Sequence, residues 1–248
     1  MQRLFLRISY DGTAYHGWQV QPNATTVQGV LDKALTTLLR ENIESVGCGR
    51  TDTGVHARKF YLHFDLSSEL SDPLRLLHSL NGILPSDIAA HEFIAVDAQA
   101  HARFDATLRT YEYRVATYKD PFLVNRAWFH ARQYDVDRMN AAAVLLLDHS
   151  EYGCFCKGKL EEQTTQCAVS RAVWNVQDGE LVFTISANRF LRNMVRAIVG
   201  TLLEVGEETI SLDDFREILH SGNRSEAGRS VPAHGLYLMD VRYPFIKP

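Results

Sequence analysis

Apolar and polar residues alternate along several short stretches of the chain, a pattern that predicts β-strands. Residues 3–10 place Leu4, Leu6 and Ile8 at alternating positions among polar neighbours, which is typical of a half-buried strand. An aromatic version of the same pattern occupies residues 109–118. Four other strands are predicted by the same reasoning, at residues 58–66, 172–177, 181–187 and 235–243.

Apolar residues that recur at helical spacing predict four helices. Thr26 is a predicted N-cap for a helix over residues 27–42, whose apolar side chains form one stripe. Asp72 and Pro73 open a second helix over 74–84, because aspartate caps helix starts and proline suits the first turn. The remaining predicted helices cover residues 138–147, after Val136-Asp137, and 190–204.

The order of these elements predicts a mixed α/β fold with two similar halves. A strand, a long loop and a helix occur in that order both in residues 1–104 and in residues 105–248. Asp178-Gly179 is a hairpin turn between two strands, and steady alternation of strands with helices is missing. We therefore expect a mainly antiparallel sheet flanked by helices.

Composition places the chain among ordinary globular proteins. It has 248 residues, of which 46% are hydrophobic and 23% charged, so a fibrous or disordered chain is excluded. Its longest apolar run, residues 141–147, is too short to cross about 30 Å of hydrocarbon. Because the first residues also lack the pattern of a secretory signal, we expect a cytoplasmic protein without a membrane segment.

The chain has a net charge of −4, but its basic and acidic residues are unevenly distributed along the sequence. Arg189, Arg192 and Arg196 occur without an intervening acid, and at helical spacing they fall together on the edge of the predicted 190–204 helix. Such a row can bind phosphate, although a solvated basic flank is the commoner outcome for these residues alone.

One segment combines a carboxylate with residues that shape a tight loop. Residues 49–57 read GRTDTGVHA, so that Asp52 lies between glycines, with Arg50 two positions before it and a predicted strand directly after it. Glycines permit close approach of a ligand, and the strand gives the loop a rigid base. On spacing alone an ordinary turn is favoured over a catalytic loop.

The GRTDTGVHA segment resembles the catalytic motif of the tRNA pseudouridine synthase A family, in which the aspartate is the nucleophile. Thr53 stands where the family usually has alanine. The resemblance continues through blocks in family order at residues 10–35, 80–88, 101–115, 190–206 and 234–243. It departs from the family between His149 and Arg171, so contacts of that loop do not transfer.

The resemblance implies a homodimer of α/β subunits, each with a cleft between its two halves that holds Asp52. It implies isomerisation of uridines at positions 38, 39 and 40 of the tRNA anticodon stem-loop, by flipping of the base and without a cofactor. Either an adduct of the carboxylate at C6 of uracil or departure of the base from C1′ would require an ionised Asp52. The residues do not choose between these routes.

Other site residues follow from the same resemblance. Arg196 becomes the partner that keeps Asp52 ionised, and Arg50 becomes the guanidinium that fills the gap left by the flipped uridine. Tyr111 becomes the ring that stacks on uracil and mediates loss of the C5 proton, although Tyr111 and Tyr113 would otherwise be ordinary sheet aromatics.

The remaining residues implied as substrate contacts are Leu236, Arg189 and Arg192. Leu236 resembles an apolar wall under the base, although the sequence alone makes it a strand leucine. Arg189 and Arg192 become candidates for contact with tRNA phosphate.

The histidines and cysteines outside the motif predict no catalytic or metal site. His149, Cys154, Cys156 and Cys167 have poor spacing for zinc, so we expect no metal and no disulfide. His56, four residues after Asp52, is expected to bond to backbone rather than to act as a base.

Two alternative functions remain open on the sequence. A noncatalytic RNA-binding protein or RNA chaperone with the same fold would use GRTDTGVHA only as a turn, although Asp52, Tyr111 and Arg196 together argue against it. A small-molecule glycosidase would need a second catalytic carboxylate, and none is evident.

Overall fold

A computed structural model describes residues 1–158 and 164–247 of the chain. The chain forms two compact units. The first comprises Met1–Thr107 together with the C-terminal segment that starts at Tyr237, and the second comprises Leu108–Leu236. The segment from Tyr237 thus belongs to the same unit as the first 107 residues.

The described residues contain nine strands and five α-helices. The strands are β1 (Gln2–Tyr10), β2 (Val46–Gly47), β3 (His56–Leu66), β4 (Ile88–Val96), β5 (Leu108–Ala116), β6 (Trp128–Phe129), β7 (Val169–Gln177), β8 (Glu180–Ala187) and β9 (Leu236–Arg242). The helices are α1 (Val27–Leu39), α2 (Pro73–Ile83), α3 (Val136–Leu145), α4 (Met194–Gly206) and α5 (Leu212–Ser221).

The first unit is built on the strand order β4-β1-β3-β9, with β2 on β3. β1 is antiparallel to both of its neighbours, whereas β3 and β9 are parallel through the pairs His56↔Tyr237 and Ala57↔Leu238. β1 and β3 bury apolar side chains on both of their faces, among them the consecutive Phe5 and Leu6 of β1 and Phe60 of β3. α1 contacts α2, and α2 contacts β4.

The second unit is built on the antiparallel order β5-β8-β7, with the short β6 parallel to β5. α4 is buried over most of its length and contacts α3 and α5. Trp174 and Phe183 pair across β7 and β8 and have ring centroids 5.0 Å apart within the core.

The predicted mixed α/β class and mainly antiparallel pairing are confirmed, and each predicted strand is present within three residues of its expected ends. The hairpin turn is confirmed as well, with Asp178 at φ 51° and Gly179 at φ 82°. Not predicted were β2, β4, β6 and α5.

Helix ends differ more from the prediction. α1 ends at Leu39, three residues early, because Arg40 takes a left-handed conformation with φ 58°. α3 begins at Val136, since the carboxylate of Asp135 accepts a hydrogen bond from the amide of Arg138.

The predicted start of the fourth helix is wrong. Asn193 has φ 64°, so that α4 begins only at Met194 rather than at Phe190. Arg189 and Arg192 therefore precede the helix, and the expected row of three arginines along one helix edge does not form.

Candidate active site

Asp52 lies in the loop between β2 and β3 of the first unit. Its side chain is half-buried, whereas Arg50 two residues earlier is exposed. The amide of Val55 donates to the carbonyl of Asp52 at 3.2 Å, and Gly54 has φ +80°, a value that favours glycine. A tight turn thus holds Asp52 immediately before a strand.

The end of β1 and the segment between β1 and α1 form hydrogen bonds with this loop. The hydroxyl groups of Tyr10 and Thr51 are 2.9 Å apart, and the amide of Trp18 donates to the carbonyl of Thr51 at 3.3 Å. The amide of Gly54 donates to the carbonyl of Tyr15, also at 3.3 Å. The residues on both sides of Asp52 therefore have fixed partners.

Two glycines let the backbones of these segments touch. A Cβ atom on Gly12 would lie 2.0 Å from the carbonyl oxygen of Val55. A Cβ atom on Gly17 would lie 2.3 Å from the carbonyl oxygen of Thr51, and Gly17 also has φ +83°. Since neither position has room for a side chain, both glycines are required for the observed position of the loop.

His56 is buried directly behind the loop. Its ring stacks on Tyr237, with centroids 4.6 Å apart. Nδ1 lies 3.1 Å from both the amide of Gly12 and a carboxylate oxygen of Asp11. A neutral Nδ1 accepts from the amide, whereas a protonated one would donate to the carboxylate. The expected backbone hydrogen bond of His56 is confirmed.

Arg196 lies in the first turn of α4, in the second unit. Its Nε donates to the carbonyl of Val231 at 2.7 Å, and the amide of Val231 donates back to the carbonyl of Arg196 at 3.2 Å. A Cβ atom on Gly200 would lie 1.8 Å from the carbonyl oxygen of Arg229, so the helix packs directly on this segment. The half-buried guanidinium is thus held in one orientation.

Two tyrosines on one face of β5 have different environments. Tyr113 is fully buried, its hydroxyl donates to the carbonyl of Pro232 at 2.9 Å, and burial raises the pKa of its phenol. Tyr111 is half-buried, and its ring meets the edge of Phe190 at 5.2 Å with an interplanar angle of 88°. Tyr113 is therefore a core residue, whereas Tyr111 retains an accessible portion.

The expected site residues are divided between the two units. Asp52 and Arg50 belong to the first. Leu236, which is 7% exposed, begins β9 and is the last residue of the second unit. The half-buried Arg189 and the exposed Arg192 lie in the turn between β8 and α4.

Sequence reasoning missed the residues that position the Asp52 loop, which are Tyr10, Gly12, Tyr15, Gly17 and Trp18. They lie in the family-like block at residues 10–35, and glycines and aromatics recur there in the turn-rich stretch after β1. A turn-rich stretch does not reveal which distant backbone it touches.

The cysteine-rich segment is built as part of the core. No disulfide joins the cysteines, all four of which lie in the described residues, and burial raises the pKa of Cys154 and of Cys167 to about 12 each. Over residues 1–158 and 164–247, no group of three histidine, cysteine or acidic residues is arranged to hold a metal ion.

The described helices include none that is both long enough and apolar enough to cross a membrane.

Comparison with known proteins agrees with the motif. A family profile described as tRNA pseudouridine synthase matches residues 7–105 and 142–244. Curated proteins named tRNA pseudouridine synthase A are similar over nearly their full length. The protein from Bacteroides fragilis is 47% identical, covering 98% of this chain and 97% of its own length. The protein from Bacillus subtilis is 40% identical, covering 97% of this chain and 99% of its own length.

Proposed function

This chain belongs to the tRNA pseudouridine synthase family and is an isomerase, and we propose that its targets are the uridines at positions 38, 39 and 40 of the tRNA anticodon stem-loop. Support for the family comes from 47% identity to the Bacteroides fragilis protein and from the profile that covers both units. The finer choice of positions rests on the resemblance of the GRTDTGVHA segment.

The reaction makes modest demands on the protein. The N1–C1′ bond of uridine breaks, the uracil turns, a C5–C1′ bond forms, the C5 proton leaves to solvent, and N1 is protonated. Atoms and charge balance without an oxidant, a reductant or a transferred group. The protein must supply a charged group near the sugar or base and must retain the released uracil.

We propose Asp52 as the nucleophile. The observation that carries this proposal is the fixed position of the Asp52 loop. Backbone hydrogen bonds hold Thr51 and Gly54 on either side of Asp52, and Gly12 and Gly17 allow the close approach that these bonds need. A reactive group held by a stiff scaffold loses little orientational freedom on reaching its substrate.

Arg196 and Tyr111 are proposed as the partners of Asp52. A guanidinium near a carboxylate favours its ionised form, and Arg196 is oriented by Val231 for a directional role. Tyr111 is proposed to stack on the flipped uracil and to mediate loss of the C5 proton, a role that the buried hydroxyl of Tyr113 does not suit.

The remaining assignments concern substrate binding. Arg50 is proposed to hold the uridine out of its stack, and Leu236 to form the wall under the base. Arg189 and Arg192 are proposed to contact tRNA phosphates. We also propose that two copies of the chain form a homodimer, because an anticodon arm is large compared with one subunit of this size. The proposed place of action is the cytoplasm, as expected from the sequence.

Tritium release tests the proposed reaction directly. In tRNA labelled with tritium at C5 of uridine, the wild-type protein should release tritium to water, and Asp52→Asn should stop this release while changing tRNA affinity by only a few fold. Asp137→Asn, which alters an exposed carboxylate in the first turn of α3, is the matched control and should release tritium normally.

Two outcomes would contradict the proposal. Continued turnover by Asp52→Asn would show that Asp52 is not the nucleophile. Tight tRNA binding by the wild-type protein without tritium release would instead favour the noncatalytic RNA-binding function. Labelling at single positions then tests the assignment to 38, 39 and 40.

A further inference from the structure

A short turn after β4 presents an aromatic side chain to solvent. Phe104 is 72% exposed, although it follows the fully buried Ala102 by only two residues. Its ring lies against the imidazole of His101, with centroids 4.3 Å apart and an interplanar angle of 33°. The guanidinium of Arg103 lies 5.6 Å from the centre of the same ring. We call His101, Arg103 and Phe104 the aromatic turn.

Internal hydrogen bonds make the aromatic turn stiff. The amide of His101 donates to the carboxylate of Asp105 at 2.8 Å, and the amide of Asp105 donates to the carbonyl of His101 at 3.1 Å. Nδ1 of His101 accepts from the amides of Arg103 and Phe104 at 3.1 and 3.3 Å. The backbone that carries Phe104 thus has little freedom to lose on binding a ligand.

The turn is also anchored to the core of the first unit. The amide of Ala102 donates to Nδ1 of the buried His63 at 3.1 Å, and its carbonyl accepts from the hydroxyl of Tyr243 at 2.6 Å. A guanidinium nitrogen of Arg3 donates to the carbonyl of Ala100 at 3.1 Å. The exposed ring is therefore mounted on the sheet rather than carried by a loose loop.

The chemistry of this arrangement fits a nucleobase. Rigid exposed aromatic rings bind unpaired bases by stacking, and a neighbouring arginine can pair with the phosphate of the same nucleotide. We propose that the aromatic turn is a stacking platform for an unpaired nucleotide of the tRNA. This inference rests on the proposed function, since it takes the substrate from there.

The bound nucleotide differs from the one at Asp52. His63, under the turn, lies seven residues along β3 from His56, and a strand rises by about 3.3 Å per residue, which gives roughly 23 Å. The platform therefore serves recognition of the tRNA body or loop and not the chemical step. Its loss should raise KM and leave kcat unchanged.

Binding of unmodified tRNA is the first test. Phe104→Ala should raise Kd by about five- to a hundredfold, the range for loss of one base–aromatic stack, while Phe104→Trp should stay within about twofold of wild type. Phe122→Ala is the matched control because Phe122, in the second unit, is 85% exposed. It should bind like wild type.

Fluorescence tests stacking itself, independently of affinity. Trp18 and Trp174 are 1% exposed, whereas Trp128 is half-buried, so the signal of the indole introduced by Phe104→Trp is taken as the difference from the wild-type protein under the same conditions. Addition of tRNA should quench this indole and shield it from iodide. An unchanged emission at saturating tRNA would overturn the proposal, as would a Kd for Phe104→Ala within twofold of wild type or an equal loss in Phe122→Ala.

Oligomeric state and tritium release distinguish the platform from a subunit contact and from the proposed reaction. If Phe104→Ala converts dimers to monomers in sedimentation, Phe104 belongs to a contact between copies of the chain, and the platform is refuted. If tRNA binding depends on Phe104 but the wild-type protein releases no tritium, the platform stands and the proposed reaction fails.

Discussion

Backbone atoms of the β1–α1 connection hold the residues on both sides of Asp52. Thr51 receives a hydrogen bond from the amide of Trp18, and Gly54 donates one to Tyr15. Side chains at Gly12 or Gly17 would collide with this loop. The position of the carboxylate thus depends on residues that act through their backbone atoms and have no proposed part in the reaction.

Gly17→Ala should therefore damage activity more than stability. The added Cβ meets the carbonyl of Thr51 at 2.3 Å in a φ +83° conformation. We expect the free energy of unfolding to fall by about 1–3 kcal/mol and kcat to fall by about tenfold or more, because a small displacement of a catalytic group is costly. Urea unfolding and tritium release measure the two effects.

Gly82→Ala is the control for that substitution. Gly82 lies on the exposed side of α2, with nothing within 4 Å of an added Cβ. Alanine there should stabilise the protein by up to about 1 kcal/mol without changing turnover. If Gly17→Ala were equally harmless, the contacts of the β1–α1 connection with the Asp52 loop would not position Asp52.

His63 gives the folded protein a pH-dependent stability. Burial lowers its pKa from 6.5 to about 4, with Arg3 and His101 adding to the shift. Between these values the unfolded chain binds the proton and the folded chain does not, so stability is complete above pH 6.5 and falls as the pH drops towards 4. The loss should reach up to about 3 kcal/mol.

Urea unfolding at pH 7 and pH 4.5 measures this loss. His63→Asn can still accept the hydrogen bond from Ala102 but does not titrate, so its stability should change less between the two pH values. Equal losses in the wild-type protein and in His63→Asn would assign the pH dependence to other groups.

At the scale of elements, prediction succeeded where the local pattern decides the structure. Alternation in β1, β3 and β8, and the Asp178-Gly179 turn, are signals contained in a few consecutive residues. β2 and β6 have two residues each and exist only because longer strands pair with them. No local pattern could have predicted these two.

The candidate site was predictable to a similar degree. Asp52 and its glycines are local features, whereas its proposed partners Arg196 and Tyr111 come from the family resemblance and stay predictions. The true start of α4 depends on the left-handed Asn193, which the apolar periodicity through residues 190–204 conceals. α5 carried an unused signal, since Ser211 and Asp214 form a capping box.

Gly200→Ala tests whether α4 positions Arg196 through its contact with Arg229–Val231. The added Cβ would lie 1.8 Å from the carbonyl of Arg229, and the resulting shift should lower stability by about 1–3 kcal/mol and reduce turnover severalfold. Ser211→Ala, which removes the cap of α5, should lower stability by about 1 kcal/mol with normal turnover. Normal turnover in both variants would contradict the positioning role.

At the scale of the whole molecule, a net charge of −4 must be reconciled with an anionic substrate. Long-range attraction is absent on average, so local arginines must supply the contacts with phosphate. Each phosphate that is neutralised releases counterions, which makes the affinity depend on salt concentration.

Arg189→Ala and Arg192→Ala should each weaken tRNA binding and reduce the slope of log K against log salt by about 1. Arg216→Ala is the matched control, because Arg216 pairs with Asp213 on the surface of α5 at 2.5 Å. Filter binding at about 50 to 200 mM salt provides the comparison, because the salt dependence of affinity is pronounced over this range. A slope unchanged by both substitutions would remove these arginines from the tRNA contact.

The parallel pairing of β9 with the start of β3 has a consequence for synthesis of the protein. His56 and Ala57, which follow the Asp52 loop, pair with Tyr237 and Leu238, which are synthesised after the whole of the second unit. A nascent chain can form β1 and β3 early but lacks the neighbour that completes this edge. The unit that bears Asp52 is therefore completed only after the second unit has been synthesised, so a nascent chain that stops before β9 lacks part of the sheet beside the Asp52 loop.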